Sequence, residues 1–193
     1  ADITKNNLKK YLEIMYQLKP TTIMIGEAPG YNGCRLSGIP FTAEKNITFE
    51  YINKCLFGIE NGFMIRNYKK PQAESSATIV WDYLYSRQIY PLIWNAFPFH
   101  PYKNNYFESN RTPNNMELQY GEEVLKELLS IFRIDQIISV GNTAYKTLKK
   151  MGIESDKVRH PANAGKAEFI KGMNLVLKNH LASSNKCNAE SSP

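Results

Sequence analysis

Four short segments, each separated from the next by a segment with helical periodicity, constrain the fold of this chain more than any other feature. The predicted strands are three largely apolar runs, Thr21–Ile25, Leu92–Phe97 and Gln136–Val140, and the short segment Lys157–Val158. Strands that alternate with helices form parallel sheets covered by helices on both faces. The sequence therefore predicts an α/β protein.

The helical segments are defined by apolar spacing and by capping residues. The first ends before Pro20, and the last lies within Ala164–Leu181. Thr42 is the predicted N-cap of a helix that reaches Leu56, and Ser76 is the predicted N-cap of the next helix. Asn114 caps a further helix, with Glu117 at capping-box spacing, and Asn142 caps the helix Thr143–Lys150. Residues 1–182 are expected to form one domain, and the small, polar residues 183–193 a disordered tail.

Composition narrows the class of protein. A hydrophobic fraction of 42% and a charged fraction of 22% over 193 residues are typical of a globular domain. The net charge of +6 permits binding to a polyanion such as nucleic acid, although a solvated basic surface explains it equally well. No apolar stretch is long enough to span a membrane and no signal peptide is visible, so we expect a cytoplasmic protein without a membrane partner.

The cysteines argue against a metal centre. Cys34, Cys55 and Cys187 are odd in number and contain no CxxC pair, so neither a disulfide framework nor a zinc site is expected. We predict a protein without metal or cofactor in a reducing compartment.

Three motifs follow the predicted strands in chain order. Thr21–Thr42 contains GEAPG and GIPF, Trp94–Pro101 reads WNAFPFHP, and Val158–Phe169 contains HPAN. Each lies at the carboxyl end of a strand, where open α/β sheets bind ligands. Together the motifs resemble the uracil-DNA glycosylase superfamily, and most closely its bacterial branches with a GEAPG-type first motif.

The resemblance implies a three-layer α/β/α fold with a central four-stranded parallel sheet. It also implies a monomeric, monofunctional glycosylase that flips uracil, or a related deaminated base, out of DNA and hydrolyses its glycosidic bond. Some GEAPG-type relatives hold an iron–sulfur cluster on four cysteines, which three cysteines cannot supply. Two alternatives remain: a non-catalytic DNA- or nucleotide-binding relative, and an α/β enzyme whose GEAPG turn cradles phosphate.

Base recognition is assigned to three residues. The resemblance puts the ring of Phe41 against the flipped base, with Ala28 beside it; packing in the core is the alternative for Phe41. Asn95 ends an apolar strand, and its amide offers both a donor and an acceptor to the N3–H and O4 edge of uracil. Cytosine presents the opposite pattern at position 4.

Three residues are candidates for the chemistry. His160 of HPAN matches the family histidine that contacts O2 of the leaving base, with His100 as its rival. Glu27 of GEAPG is expected to orient water or to stabilise the cationic sugar. Relatives often carry a further acid a few positions later, whereas this chain has Tyr31–Cys34, so Asn32 is the alternative residue to position water.

The DNA contacts are predicted around the HPAN loop. Arg159 and Lys166 are candidates to bind phosphate, and Arg159 also to support the leaving anion. The segment Ala162–Lys166, which includes Asn163, is the expected wedge into the minor groove; a plain connection between strand and helix is the alternative. The aromatic residues Phe99, Tyr102 and Tyr106 receive no role.

Overall fold

A single parallel sheet organises the molecule. The structure, a computed structural model, describes residues 2–48 and 56–190, with side chains up to Lys178. The strands are β1 (Thr22–Gly26), β2 (Leu92–Asn95), β3 (Gln136–Val140) and β4 (Asp156–Val158). They lie in the order β2-β1-β3-β4, and all neighbours are parallel. The predicted α/β fold with a four-stranded parallel sheet is confirmed.

Helices connect the strands. In the described part of the chain they are α1 (Ile3–Leu18), α2 (Cys34–Ser37), α3 (Glu44–Ile47), α4 (Ser75–Ser86), α5 (Asn115–Ile131), α6 (Asn142–Lys150) and α7 (Lys166–Glu190). The capping box before α5 is confirmed, because Asn114 accepts the Glu117 N–H and Glu117 accepts the Asn114 N–H. None of the described helices is long and apolar enough to cross a membrane.

The cap predicted at Thr42 is wrong. The N-cap of α3 is Ala43, because the Thr42 hydroxyl is already engaged: it donates to the Pro40 carbonyl and accepts the indole N–H of Trp81. The helix assigned here is a single turn that ends at Ile47. The predicted continuation through residues 49–55 lies outside the described residues.

Two further caps differ from prediction. Glu74 precedes α4, so Ser76 lies inside its first turn. Gly141 precedes α6 with φ 93°, a conformation that favours glycine, and Asn142 is the first helical residue. The last helix also continues past the predicted limit at Leu181, since no Gly or Pro interrupts residues 173–192. The division into a domain of residues 1–182 and a disordered tail stays a prediction.

Packing fixes the position of the strand ends. Ile23, Met24 and Ile25 of β1 are fully buried at the centre of the sheet. At the edge, the hydroxyl of Tyr11 on α1 accepts the Ile93 N–H at 2.7 Å, which satisfies a backbone donor of β2 that would otherwise be buried without a partner. The carboxyl ends of all four strands are thereby held side by side.

Candidate active site

One cavity of about 900 Å³ opens at the carboxyl edge of the sheet, and its wall includes residues that follow or end all four strands. Register puts Gly26 of β1 opposite Asn95 of β2, and Val140 of β3 opposite Val158 of β4. The pairing extends past β1, because the Phe97 N–H donates to the carbonyl of Glu27 at 3.0 Å. Parallel strands therefore bring side chains from four distant segments to one site.

Gly26 is the point where an aromatic ring and an amide converge. A Cβ atom at this position would collide with the ring of Phe41 and would lie 2.8 Å from Oδ1 of Asn95. Phe41 itself has φ 49° and is buried, although its ring lines the cavity. A glycine is thus required here for the ring to lie against the strand end, next to the amide.

The amide of Asn95 is buried yet has no hydrogen-bond partner among the described residues. The residue is 3% exposed, and no residue of the described part of the chain hydrogen-bonds to its side chain. Buried polar groups are otherwise almost always paired, so an amide that faces a cavity is suited to a polar ligand.

His160 follows β4 and is oriented by its own loop. The Ala162 N–H donates to Nδ1 at 3.1 Å, so the neutral ring carries its proton on Nε2. Burial lowers the pKa of His160 below its usual range, an effect that Glu27 opposes and Arg159 reinforces. The ring lies 5.8 Å from that of Phe41. The site therefore holds a neutral imidazole whose N–H donor is not engaged by any described residue.

Glu27 is held by a residue that the sequence analysis missed. The hydroxyl of Thr143, in the first turn of α6, donates to the carboxylate of Glu27 at 2.5 Å, and both residues line the cavity. The sequence signal available was weak: a Thr next to a predicted helix N-terminus, with nothing to link it to a residue 116 positions earlier. The contact fixes the carboxylate between the ends of β1 and β3.

The cavity thus combines a ring, an amide without a partner among the described residues, a neutral imidazole and an anchored carboxylate. The family model of the uracil DNA glycosylase superfamily matches residues 15–185 of this sequence. The chain belongs to this superfamily. Its members are DNA-repair hydrolases that cleave N-glycosidic bonds in DNA, so the resemblance identified from the three motifs is confirmed. Membership in the GEAPG-type branch stays a prediction.

A solved structure shares the superfamily fold with this chain. The crystal structure of wild-type SMUG2 from Pedobacter heparinus superposes with a TM-score of 0.58 at 18% identity, over 93% of this chain and 82% of that chain. At this identity the likeness concerns the fold, and the predicted glycosylase-like three-layer architecture is confirmed. Among curated proteins, none matches this chain significantly.

The glycosylase cavity contains most of the predicted site residues. Seven of them line it: Glu27, Ala28, Phe41, Asn95, Arg159, His160 and Asn163. Asn32 and Lys166 are exposed and lie outside the lining. Asn32 follows the GEAPG turn on its solvent side, so it is poorly situated to position water within the cavity.

Two backbone N–H groups of the segment just after GEAPG are engaged in hydrogen bonds. The Tyr31 N–H donates to Oδ1 of Asn110 at 2.9 Å, and the Gly33 N–H approaches the Gly30 carbonyl at 3.4 Å. A phosphate cradle needs several free N–H groups that point to one spot. Neither of these two N–H groups is therefore available to a phosphate.

Glu74 is a second functional candidate that the sequence analysis missed. It stands in a polar segment just before α4, and it contributes to the cavity wall. Neither spacing nor a motif marks it in the sequence.

The described residues contain no group of three or more His, Cys, Asp or Glu side chains that could hold a metal ion. Cys34 is a free, buried cysteine in the cavity wall. Burial raises the pKa of its thiol, and the charge of Glu74 raises it further. The thiol is therefore neutral and is not an activated nucleophile. The expectation of a protein without a cofactor stays a prediction.

Proposed function

We propose that this protein is a monomeric, monofunctional DNA glycosylase that removes uracil, or a related deaminated base, from DNA. The observation that carries the proposal is the convergence of Phe41, Asn95, His160 and Glu27 on one cavity at the carboxyl edge of the sheet. A glycosidic bond within a duplex is inaccessible, so the target nucleotide enters this cavity after it has been flipped out of the stack.

Base choice is assigned to Asn95 and Phe41. The flipped base stacks on the ring of Phe41, an interaction worth roughly 1–3 kcal/mol. The Asn95 amide accepts the N3–H of uracil and donates to O4, and its lack of a protein partner among the described residues supports this pairing. Cytosine would leave the buried amide mismatched, which is how a polar pocket rejects the wrong base.

Bond cleavage separates charge, and the cavity has a group for each pole. As the C1′–N1 bond breaks, its electron pair moves onto the base, and the sugar becomes an oxocarbenium ion. The Nε2–H of His160 donates to O2 of the departing anion. Glu27, anchored by Thr143, stabilises the cationic sugar. Water then adds to C1′ and leaves an abasic site.

Contacts with the rest of the DNA strand are assigned to the rim of the cavity. Arg159 and Asn163 are exposed beside His160, and Lys166 begins α7 just beyond them. Arg159 and Lys166 bind phosphates, while the turn at Asn163 enters the minor groove. These contacts orient the strand without selecting the base.

The test is cleavage of oligonucleotides that contain uracil, hypoxanthine or xanthine, followed by detection of abasic sites. We expect cleavage of uracil, with Asn95→Ala slower by about 2–4 kcal/mol in transition-state free energy. If Asn95→Ala cleaves uracil at the wild-type rate and Asn142→Ala loses cleavage, base recognition belongs to the amide of Asn142, which also lines the cavity. No cleavage of any substrate by the wild-type protein would refute the proposal.

A further inference from the structure

A second carboxylate reaches the cavity from a distant segment. Glu74 immediately precedes α4, and its side-chain oxygens lie over Gly30 and Gly33 of the first motif. A Cβ atom on either glycine would collide with this carboxylate. Because Gly30 and Gly33 have no side chains, the turn leaves the space that the Glu74 carboxylate occupies.

Glu74 differs from the structural acids of the fold because no protein group in the described part of the chain pairs with its carboxylate. It makes no side-chain cap bond to α4. By contrast, the buried Glu44 accepts N–H groups of Arg66 and Gln72, and Glu117 pairs with Arg111. An unpaired, largely buried carboxylate is costly, and such groups cluster at functional sites.

We propose, on the basis of the function proposed above, that Glu74 is the carboxylate that positions the attacking water and accepts its proton. Asn32, the residue of the first motif that was expected as an alternative to position water, is exposed outside the cavity. Glu74 supplies a carboxylate over that same turn from another part of the chain. The site then has two carboxylates with separate tasks.

Hydrolysis consumes one water molecule and conserves atoms and charge. The C1′–N1 bond breaks heterolytically, and its electron pair leaves with the base. An oxygen lone pair of water forms the new bond to C1′, while one water proton passes to an ionised oxygen of Glu74. The base anion gains a proton from solvent, and Glu74 returns its proton to solvent. No oxidant, reductant or metal is needed.

The surroundings of Glu74 set the direction of its pH dependence. Burial raises the pKa of Glu74 above the ordinary value of a carboxyl group. Cys34 on α2 is the titratable group whose thiol interacts with its charge. The other titratable groups that share the cavity wall with Glu74 are Glu27 after β1, Arg111 before α5, and Lys157, Arg159 and His160 at β4. Since the proton acceptor must be ionised, the rate should fall on the acid side at a higher pH than an unperturbed carboxyl group would give.

Stability should change in the opposite direction from activity. A carboxyl group whose pKa is raised in the folded state binds protons more tightly there than in the unfolded chain. Its ionisation therefore disfavours folding as pH rises toward neutrality. Glu74→Gln removes that ionisation, so its Tm at pH 7.5 should equal or exceed that of the wild type. A residue whose role is only structural would show a lower Tm.

The experiment compares single-turnover cleavage of uracil-containing DNA by the wild type, Glu74→Gln and Glu74→Ala. A general base contributes roughly 10²–10⁴-fold, so we expect Glu74→Gln to be at least about 100-fold slower and to lose the acid limb of its pH profile. Added formate should restore part of the rate of Glu74→Ala, since it supplies a carboxylate in the space created. The matched control is Glu108→Gln. Glu108 is another acid near the first motif, where it accepts a hydrogen bond from the Tyr31 hydroxyl, and we expect a rate within about twofold of wild type.

The outcomes separate this inference from the proposed function. If the wild type cleaves uracil and Glu74→Gln cleaves it at the same rate, the role of Glu74 is overturned and the proposed function stays intact. A slow Glu74→Gln with an unchanged acid limb, and without formate rescue of Glu74→Ala, would also overturn it. An inactive wild-type protein would overturn both. If Glu74→Gln fails to fold, Glu74→Asp decides: it must keep the acid limb at a reduced rate.

Discussion

Two loops of this protein contain His-Pro followed by a tight turn, and the two histidines have opposite surroundings. In the first loop, Nδ1 of His100 lies 2.9 Å from the Pro29 carbonyl and Nε2 lies 3.2 Å from the Phe107 carbonyl. In the second, Nδ1 of His160 accepts the Ala162 N–H, while Nε2 has no partner among the described residues and the ring lines the cavity. The dipeptide is the same, but both nitrogens of the first ring face backbone carbonyls, whereas the second ring is available to a ligand.

This difference shows how a donor is made available for catalysis. A histidine between two carbonyl oxygens can only donate to the protein itself. A histidine whose Nδ1 accepts a backbone N–H is fixed as the Nε2–H tautomer before any substrate arrives, and so needs no reorganisation during the reaction. The rings of His160 and Phe41 are in contact, so the His160 donor lies beside the ring on which the base is predicted to stack.

The largest expected effect tests the comparison directly. A preorganised donor to a developing anion is worth about 3–4 kcal/mol, so His160→Ala should lower the single-turnover rate on uracil-containing DNA by roughly 100–1000-fold. Binding to abasic-site DNA should change little, since those contacts are mainly to phosphate. His100→Ala should cleave within a few-fold of wild type and lose about 1 kcal/mol of unfolding free energy. Circular dichroism must show that both variants are folded; if His100→Ala loses cleavage and His160→Ala retains it, the two roles are exchanged.

The next effect concerns the carboxylate opposite His160. Thr143→Val removes the hydroxyl that donates to Glu27 while it preserves side-chain shape, and Thr143→Ser retains the donor. A hydrogen bond to a charged group contributes about 1.5–3 kcal/mol, so Thr143→Val should slow cleavage by about tenfold or more if the anchor orients Glu27. Glu27→Gln should also be slower than wild type. Equal rates for the Val and Ser variants would show that the hydroxyl has no part in the reaction.

A third test concerns the charge state of His160 and can be followed by NMR titration of its ring. Its pKa should lie below the usual value because burial disfavours the imidazolium ion. Arg159→Gln removes a neighbouring positive charge and should raise that pKa, whereas Glu27→Gln removes a negative charge and should lower it. Since the folded state binds the proton less tightly than the unfolded chain does, His160 should reduce stability as pH falls. Shifts of the same sign in both variants would contradict this electrostatic account.

The sheet was predictable because its signals are local. The run Gln136–Val140 matches β3 in full, and the capping box at Asn114 and Glu117 marks the start of α5. Positions along the chain also predict which side chains follow or end a strand, and Glu27, Asn95 and His160 all line the cavity at the strand ends. In a parallel sheet, the residues that follow different strands lie close together at the carboxyl edge.

The residues that were missed depend on contacts between distant segments. Thr143 acts on Glu27 across more than a hundred positions, and Glu74 enters the first motif from the start of α4. The wrong cap at Thr42 has the same origin, because its hydroxyl is engaged by Trp81 rather than by its own helix. Local spacing could not reveal which partner a polar side chain would find.

The smallest expected effect distinguishes the turns that follow the two His-Pro pairs. After His100, the turn closed by the Tyr106 N–H and the Lys103 carbonyl uses Asn105 at φ 57°. After His160, the turn closed by the Gly165 N–H and the Ala162 carbonyl has two such residues, Asn163 at φ 52° and Ala164 at φ 58°.

Asparagine tolerates the left-handed region, whereas alanine there costs about 1–2 kcal/mol. Glycine would relieve that strain but loses about 0.5–1 kcal/mol through the greater entropy of the unfolded chain. Ala164→Gly should therefore stabilise the protein by about 0.5 kcal/mol, which is a rise in Tm of about 1–2 °C for a chain of this size. The control is Asn105→Gly in the other turn, where little strain exists to relieve, so its Tm should not rise. If both glycine variants raise the Tm equally, Ala164 carries no special strain, and the two turns differ only in sequence.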